Sequence, residues 1–139
     1  MTIQEIEQQI IDEFANFDEW LDRYAYLIDL GKDCPQIDEK DENPQNLIKG
    51  CQSNVWLSCE QRDGRLYFRA DSDAVITRGI ISLLIRAFDG QTPADILAAD
   101  ITFIDAIGLR EHLSPTRSNG LTAMLKQIKM YALAFSVKG

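Results

Sequence analysis

Histidine is almost missing from this chain, which has only His112, and cysteine is sparse, at Cys34, Cys51 and Cys59. Three thiols cannot make an even disulfide framework, and no two of them form a CxxC pair. A zinc or iron–sulfur site built from all three cysteines and His112 would need unpaired ligands from distant segments to converge. Equally missing are an HExxH helix, a glycine-rich phosphate loop and a serine nucleophile elbow. Basic residues are the minority, 14 against 22 acidic, and the net charge of −8 makes phosphate backbones and anionic lipid surfaces poor partners. The longest apolar stretches, such as Ile80 to Ile85, are far too short to span a bilayer. The opening Met1-Thr2-Ile3-Gln4-Glu5 has neither the basic start and apolar core of a secretory signal nor the arginine-rich character of a transit peptide. The expectation is a cytoplasmic protein that binds neither nucleic acid nor membrane, with its thiols kept reduced.

What is present suits a soluble globular chain: 139 residues, 45% apolar, with charges interspersed. That length fits one domain over residues 1–139, able to bury about two-thirds of its unfolded surface. Thr2 with Glu5 makes a capping box, and Ile3, Ile6, Ile10, Phe14 and Phe17 follow at helical spacing. A second helix is expected from Asp18 as N-cap, with Trp20, Tyr24, Leu27 and Ile28 as its apolar stripe and Gly31 as its stop. Lys32 to Asn46, polar and acidic with Pro35 and Pro44, reads as an irregular surface loop. Asn54 to Arg62 alternates as a strand, with Val55, Leu57 and Cys59 on one face. Asp63-Gly64 then turns tightly into Arg65–Ala70. Leu47 and Ile48 are candidates for a short third strand.

Asp71-Ser72-Asp73 reads as capping residues for a helix whose run from Val75 to Phe88 is apolar nearly all round, the mark of a central element. Asp89-Gly90 ends it. Thr92-Pro93 opens a short helix, and another is expected over Thr102 to Ile107. Thr116 to Gly120 reads as a polar turn before a last helix that faces Leu121, Met124, Leu125, Ile128, Tyr131, Ala132 and Phe135 inward. Helices before and after one small antiparallel sheet define an α+β fold.

The most unusual string is Lys49-Gly50-Cys51-Gln52-Ser53. Gly50 permits a turn that sets Cys51 at the tip of a short loop, where a thiol can be approached. Thiolates attack sulfur, so a reactive cysteine needs surroundings that lower its pKa from about 8.5; Lys49 is local and Arg117 lies in the other polar segment. Spacing alone leaves Cys51 either reactive or packed as a small apolar residue, and its glycine and polar neighbours favour the first. Cys59, on the inner strand face, reads as a buried core thiol. Cys34, between a helix stop and Pro35, is either a loop plug or a surface thiol. His112 is either a general base for Cys51, as in cysteine hydrolases, or a capping or packing residue. No oxyanion-hole motif supports hydrolysis.

Several motifs in one order then resemble a known family: Gly50-Cys51-Gln52-Ser53 with Val55-Trp56, Asp71-Ser72-Asp73-Ala74 with Gly79, and His112-Leu113-Ser114-Pro115 with Arg117-Ser118-Asn119-Gly120-Leu121. Together with Trp20 to Gly31 and Asn43-Pro44-Gln45-Asn46 they cover almost the whole chain. The sequence resembles the SufE and CsdE sulfur-acceptor proteins. That resemblance implies the α+β fold shared with iron–sulfur scaffolds of the NifU and IscU type. It also implies a persulfide taken from a pyridoxal-phosphate cysteine desulfurase, SufS-like or CsdA-like, whose turnover it stimulates. No cofactor of its own and no independent activity are implied, and sulfur would pass on to an iron–sulfur scaffold or another acceptor. Cys51 matches the sulfur-accepting cysteine and Arg117 an arginine near the cysteine loop. Gly50, Gln52, Asp73 and His112 match supporting positions. Because a persulfide oxidises readily, Cys51 is expected to be partly sheltered until the desulfurase docks, with Arg117 stabilising the anion or holding the loop. A metal or cluster scaffold of the NifU and IscU type is the alternative reading.

Overall fold

The structure, a computed structural model, describes residues 1–51 and 53–138, with the side chain of Lys138 left aside. Helix α1 covers Ile3–Phe14, α2 Trp20–Lys32, strand β1 Val55–Arg62, β2 Arg65–Ser72 and α3 Val75–Phe88. The short helices α4 (Pro93–Ala98), α5 (Phe103–Ala106) and α6 (Leu109–His112) lead to the long α7, Pro115–Lys138. This is the α+β arrangement expected from the sequence, two antiparallel strands flanked by helices.

Local chemistry explains most of the boundaries. The Thr2 and Glu5 capping box forms on α1 as expected, each side chain bonding the other's backbone N–H. The helix stops at Phe14, so Phe17 lies beyond it, its ring 5.0 Å from that of Tyr26. Asp63 (φ 53°) and Gly64 (φ 77°) make the hairpin turn, and both left-handed values match the twist of the strands they join. Thr92 caps α4 by accepting from the Asp95 N–H, with Pro93 at the first helical position.

Helix α3 is the central element, as its sequence implied. Ile80, Ile81, Leu84, Ile85 and Phe88 are fully buried, packed in one cluster with Val55, Leu57, Leu66, Phe68 and Ala70 of the hairpin and with Leu27, Leu121, Met124 and Ile128. Each large apolar side chain removed from water in this way contributes about 1.5–3 kcal/mol.

Five local expectations are corrected. Glu19, not Asp18, occupies the N-cap of α2, without a side-chain bond. Gly31 does not stop α2, which runs on to Lys32; a Cβ there would lie 2.9 Å from the Gly79 nitrogen, so this glycine serves the close approach of α2 and α3. Asp71-Ser72-Asp73 does not cap α3, whose N-cap is Ala74; the Asp71 carboxylate holds Arg78 (3.1 Å) and the Asp73 carboxylate holds Asn54. Thr116 to Gly120 is no turn but the opening of α7, where Ser114 Oγ accepts from the Arg117 N–H (3.3 Å) and Pro115 takes the first position. A Ser-Pro start outweighed the low helix propensity of Ser118, Asn119 and Gly120. The proposed third strand is reduced to one bridge, Leu47 with Trp56.

Two thiols lie away from the Cys51 loop. Cys34 is buried as a loop plug beside the carbonyls of Pro35 and Ala70 (both 3.8 Å), and burial, with Asp71 nearby, pushes its pKa up to about 11. Cys59 is not the fully buried thiol expected. The second half of β1 runs past the core, and Cys59 is half-buried beside Tyr131 and Asp38, its pKa pushed up to about 12 by burial first and then by Asp89 and Glu60. In the unfolded chain both thiols ionise near the ordinary value of about 8.5. Their folded pKa values are raised, so their contribution to stability is complete below that pH and lost as pH rises towards 11. The urea midpoint should therefore be lower at pH 10 than at pH 7.5, and Cys34→Ala with Cys59→Ala should flatten that slope. An unchanged slope would contradict the assignment.

Candidate functional site

The cysteine loop springs from two fixed feet. On the upstream side Ile48 is buried and its N–H donates to the Val55 carbonyl (2.8 Å), while the Leu57 N–H donates to the Asn46 carbonyl (2.9 Å). The Tyr131 hydroxyl donates to the Leu57 carbonyl (2.8 Å) from α7, binding that helix to the strand at the same place. On the downstream side the Asp73 carboxylate accepts from the Asn54 backbone N–H (3.1 Å) and side-chain amide (3.0 Å). Ser72 Oγ donates to the Asn54 carbonyl (2.8 Å). Between these feet Gly50 takes a φ of 94°, which a side chain would resist, and the chain turns at Lys49 and Gly50, just before Cys51. The sequence expectation for Gly50 thus holds, and Asp73 has the concrete place of a loop anchor.

The tip leans onto α7. Cys51 Sγ lies 3.6 Å from the Gly120 carbonyl, placed to donate to it, and the thiol is half-buried. A Cβ on Gly120 would sit 3.3 Å from that sulfur, so the glycine is what allows the loop to settle against the helix. Under the tip is a cavity of about 70 Å³ lined by Cys51, Ser53, Thr77, Ile80, Thr116, Arg117, Gly120 and Met124. Arg117 therefore does come to the cysteine loop, from the first turn of α7. Among the described residues its guanidinium has no carboxylate partner.

Burial pushes the Cys51 thiol up, the reverse of the lowering expected from Lys49 and Arg117. Loss of water disfavours the charged form, and in this resting position that effect wins. The sheltering itself agrees with the expected half-hidden thiol. Gly120→Ala should push the loop outward: the methyl also favours the helix by about 1 kcal/mol, so stability should hold while Cys51 is exposed. In a Cys34→Ala, Cys59→Ala background, labelling of Cys51 by a disulfide reagent at pH 7.5 should be several-fold faster with Gly120→Ala. A slower rate would show that the loop is clamped instead of displaced.

His112 is placed elsewhere. Its ring stacks on Trp20 at 3.8 Å and 15°, its Nδ1 is 3.0 Å from the Gly108 carbonyl, and the Tyr24 hydroxyl donates to the His112 carbonyl. It does not line the Cys51 cavity, so nothing in this arrangement makes it a base for that thiol. It packs just before α7 begins at Pro115. Gln52 lies outside the described residues. The three thiols have separate surroundings, and among the described residues no group of three or more histidine, cysteine or acidic side chains is disposed to hold a metal. Gly120 and Thr77 were missed as site residues in the sequence; Gly120 had a signal, a glycine inside a segment that turns out helical.

The fold and the site together define a small α+β protein that offers a half-buried loop cysteine, Cys51, with no metal-binding group of side chains among the described residues. The SufE family, described as an Fe-S metabolism associated domain, matches residues 8–132, and the chain belongs to it. An uncharacterized SufE-like protein of Rhizobium meliloti (strain 1021) is 42% identical over 129 residues, covering 89% of this chain and 92% of that protein. A second SufE-like protein, from Rhizobium etli, is 41% identical over 126 residues, covering 87% of this chain and 85% of that one. The solution structure of a hypothetical protein from Thermus thermophilus shares the fold, with a TM-score of 0.76 over 93% of this chain and 94% of that chain at 20% identity. Family membership gives the chain a sulfur-transfer role in iron–sulfur metabolism.

Proposed function

We propose that Cys51 is the sulfur acceptor, loaded as a persulfide by a pyridoxal-phosphate cysteine desulfurase whose turnover the protein stimulates. The observation that carries this reading is the placement of Cys51: at a glycine turn between two anchored feet, leaning on Gly120 above a small cavity. In the transfer, the Cys51 thiolate attacks the outer sulfur of the donor's persulfide. A new S–S bond forms on Cys51, the donor's S–S bond breaks, and its electron pair leaves on the donor thiolate. The proton lost by Cys51 goes to solvent and the donor thiolate regains one, so no oxidant is consumed.

The half-buried seat of Cys51 against Gly120, where burial raises its pKa, supports an order for these events. While the loop rests on α7 burial favours the protonated thiol and slows its reaction; lifting it into a wetter position on docking restores its acidity. Such a movement costs little, because loop opening lies at the low end of local stabilities. Arg117, which lines the cavity and has no carboxylate partner among the described residues, is suited to steady the resulting anion. Passage of the sulfur to an iron–sulfur scaffold or another acceptor repeats the same exchange with roles reversed. Intact-protein mass spectrometry after incubation with a cysteine desulfurase and free cysteine should show a gain of about 32 Da that reductant removes. No gain beside a desulfurase that is visibly releasing sulfide would contradict the proposal.

A further inference from the structure

A groove of about 480 Å³ runs along the upstream foot of the cysteine loop, lined by Pro44, Gln45, Leu47, Ile48, Lys49, Ala123, Lys126, Gln127 and Met130. One wall is the segment that leads directly into Gly50 and Cys51, and the other is the outer face of α7. The walls meet at the loop, where a Cβ on Gly50 would be 3.4 Å from the Ala123 methyl.

Its charge is opposite to that of the molecule. The chain carries −8, yet the groove is lined by Lys49 and Lys126 and by no carboxylate. Among the described residues neither lysine makes an ion pair. Between them lie Leu47, Ala123 and Met130, and the apolar strip continues along α7 through Leu133, with Met130 52% and Leu133 55% exposed. Cationic heads beside bare aliphatic surface, unpaired within their own chain, are what an acidic and apolar partner surface complements.

From this charge complementarity, and from the continuity of the groove with the cysteine loop, we propose that the groove docks an acidic, aliphatic segment of the sulfur-donating desulfurase. Lys49 and Lys126 would pair its carboxylates, and Leu47, Ala123 and Met130 would receive its aliphatic side chains. A donor seated there grips the segment that ends in Gly50, so binding and exposure of Cys51 are mechanically linked. The inference rests on the reading of Cys51 as acceptor.

The test is a titration of sulfur loading against the concentration of the desulfurase that loads the wild type, with Lys126→Glu, Met130→Glu and, as a control outside the groove, Lys32→Glu. Lys126 and Met130 are exposed on α7, so these variants should fold. The half-saturating concentration should rise about tenfold for Lys126→Glu and Met130→Glu and stay put for Lys32→Glu, with maximal loading unchanged. Added salt should raise the wild-type value towards that of Lys126→Glu. Loading from inorganic polysulfide, which needs no docking, should be equal in all four proteins. A Lys126→Glu protein that loads at wild-type concentrations overturns the inference alone, as does one impaired only in passing sulfur onward, which would assign the groove to the acceptor. A wild type that polysulfide loads and no desulfurase does would overturn the proposed function, and the inference with it.

Discussion

Gly79→Ala is expected to lower stability by about 3 kcal/mol, the largest loss for a glycine-to-alanine change among the described residues. A Cβ at Gly79 would lie 2.3 Å from the Leu27 carbonyl oxygen and 2.9 Å from its carbon, both backbone atoms that no rotamer change can move. Ordinary contact begins at 3.4 Å, so α2 would have to retreat from α3 by about 1 Å. Leu27 would then loosen from the core, and the bond from Ser82 Oγ to the Leu30 carbonyl (3.0 Å) would lengthen. Alanine's better helix propensity offsets only about 1 kcal/mol of this. Gly31→Ala meets the same crossing from the other side at 2.9 Å and should cost less. Urea denaturation of the two variants checks both the size and the ranking; equal midpoints for Gly79→Ala and wild type would refute the close-packed crossing.

The second large effect is chemical. Cys51→Ser should abolish sulfur loading, whereas Cys34→Ser and Cys59→Ser should leave it intact. Serine is close in size but its oxygen cannot carry a sulfane sulfur through thiol exchange. Cys34 is buried against two carbonyls and Cys59 lies on a strand beside carboxylates, both with thiol pKa values pushed to about 11 and about 12, so neither offers a thiolate near neutral pH. With a thiol reductant present to release the transferred sulfur as sulfide, the rate of sulfide formation reads the same distinction kinetically. Full loading of Cys51→Ser would remove this cysteine from the account.

Much of this was legible in the sequence because the signals were local. The capping box of Thr2 and Glu5, the Asp63-Gly64 turn, the Thr92-Pro93 start and the apolar run of α3 each reflect a short-range rule, and each reappears in the structure. The errors came where a residue answers to a distant partner. Gly31 looked like a helix stop because its reason, the backbone of Gly79, is far along the chain. Thr116 to Gly120 looked like a turn because its glycine faces the Cys51 sulfur, a contact between residues 69 positions apart. Within the site, the turn at Gly50 and the approach of Arg117 were expected. The direction of the Cys51 pKa was not, because burial depends on how the loop lies against α7.

The most direct test of the central claim is to load the wild-type protein with a desulfurase and free cysteine, block thiols and persulfides by alkylation, and locate the added sulfur by tandem mass spectrometry of the peptides. The account predicts one extra sulfur on the peptide containing Cys51, with Cys34 and Cys59 carrying none. Sulfur on either of those two, or on none of the three while the desulfurase turns over, would contradict it.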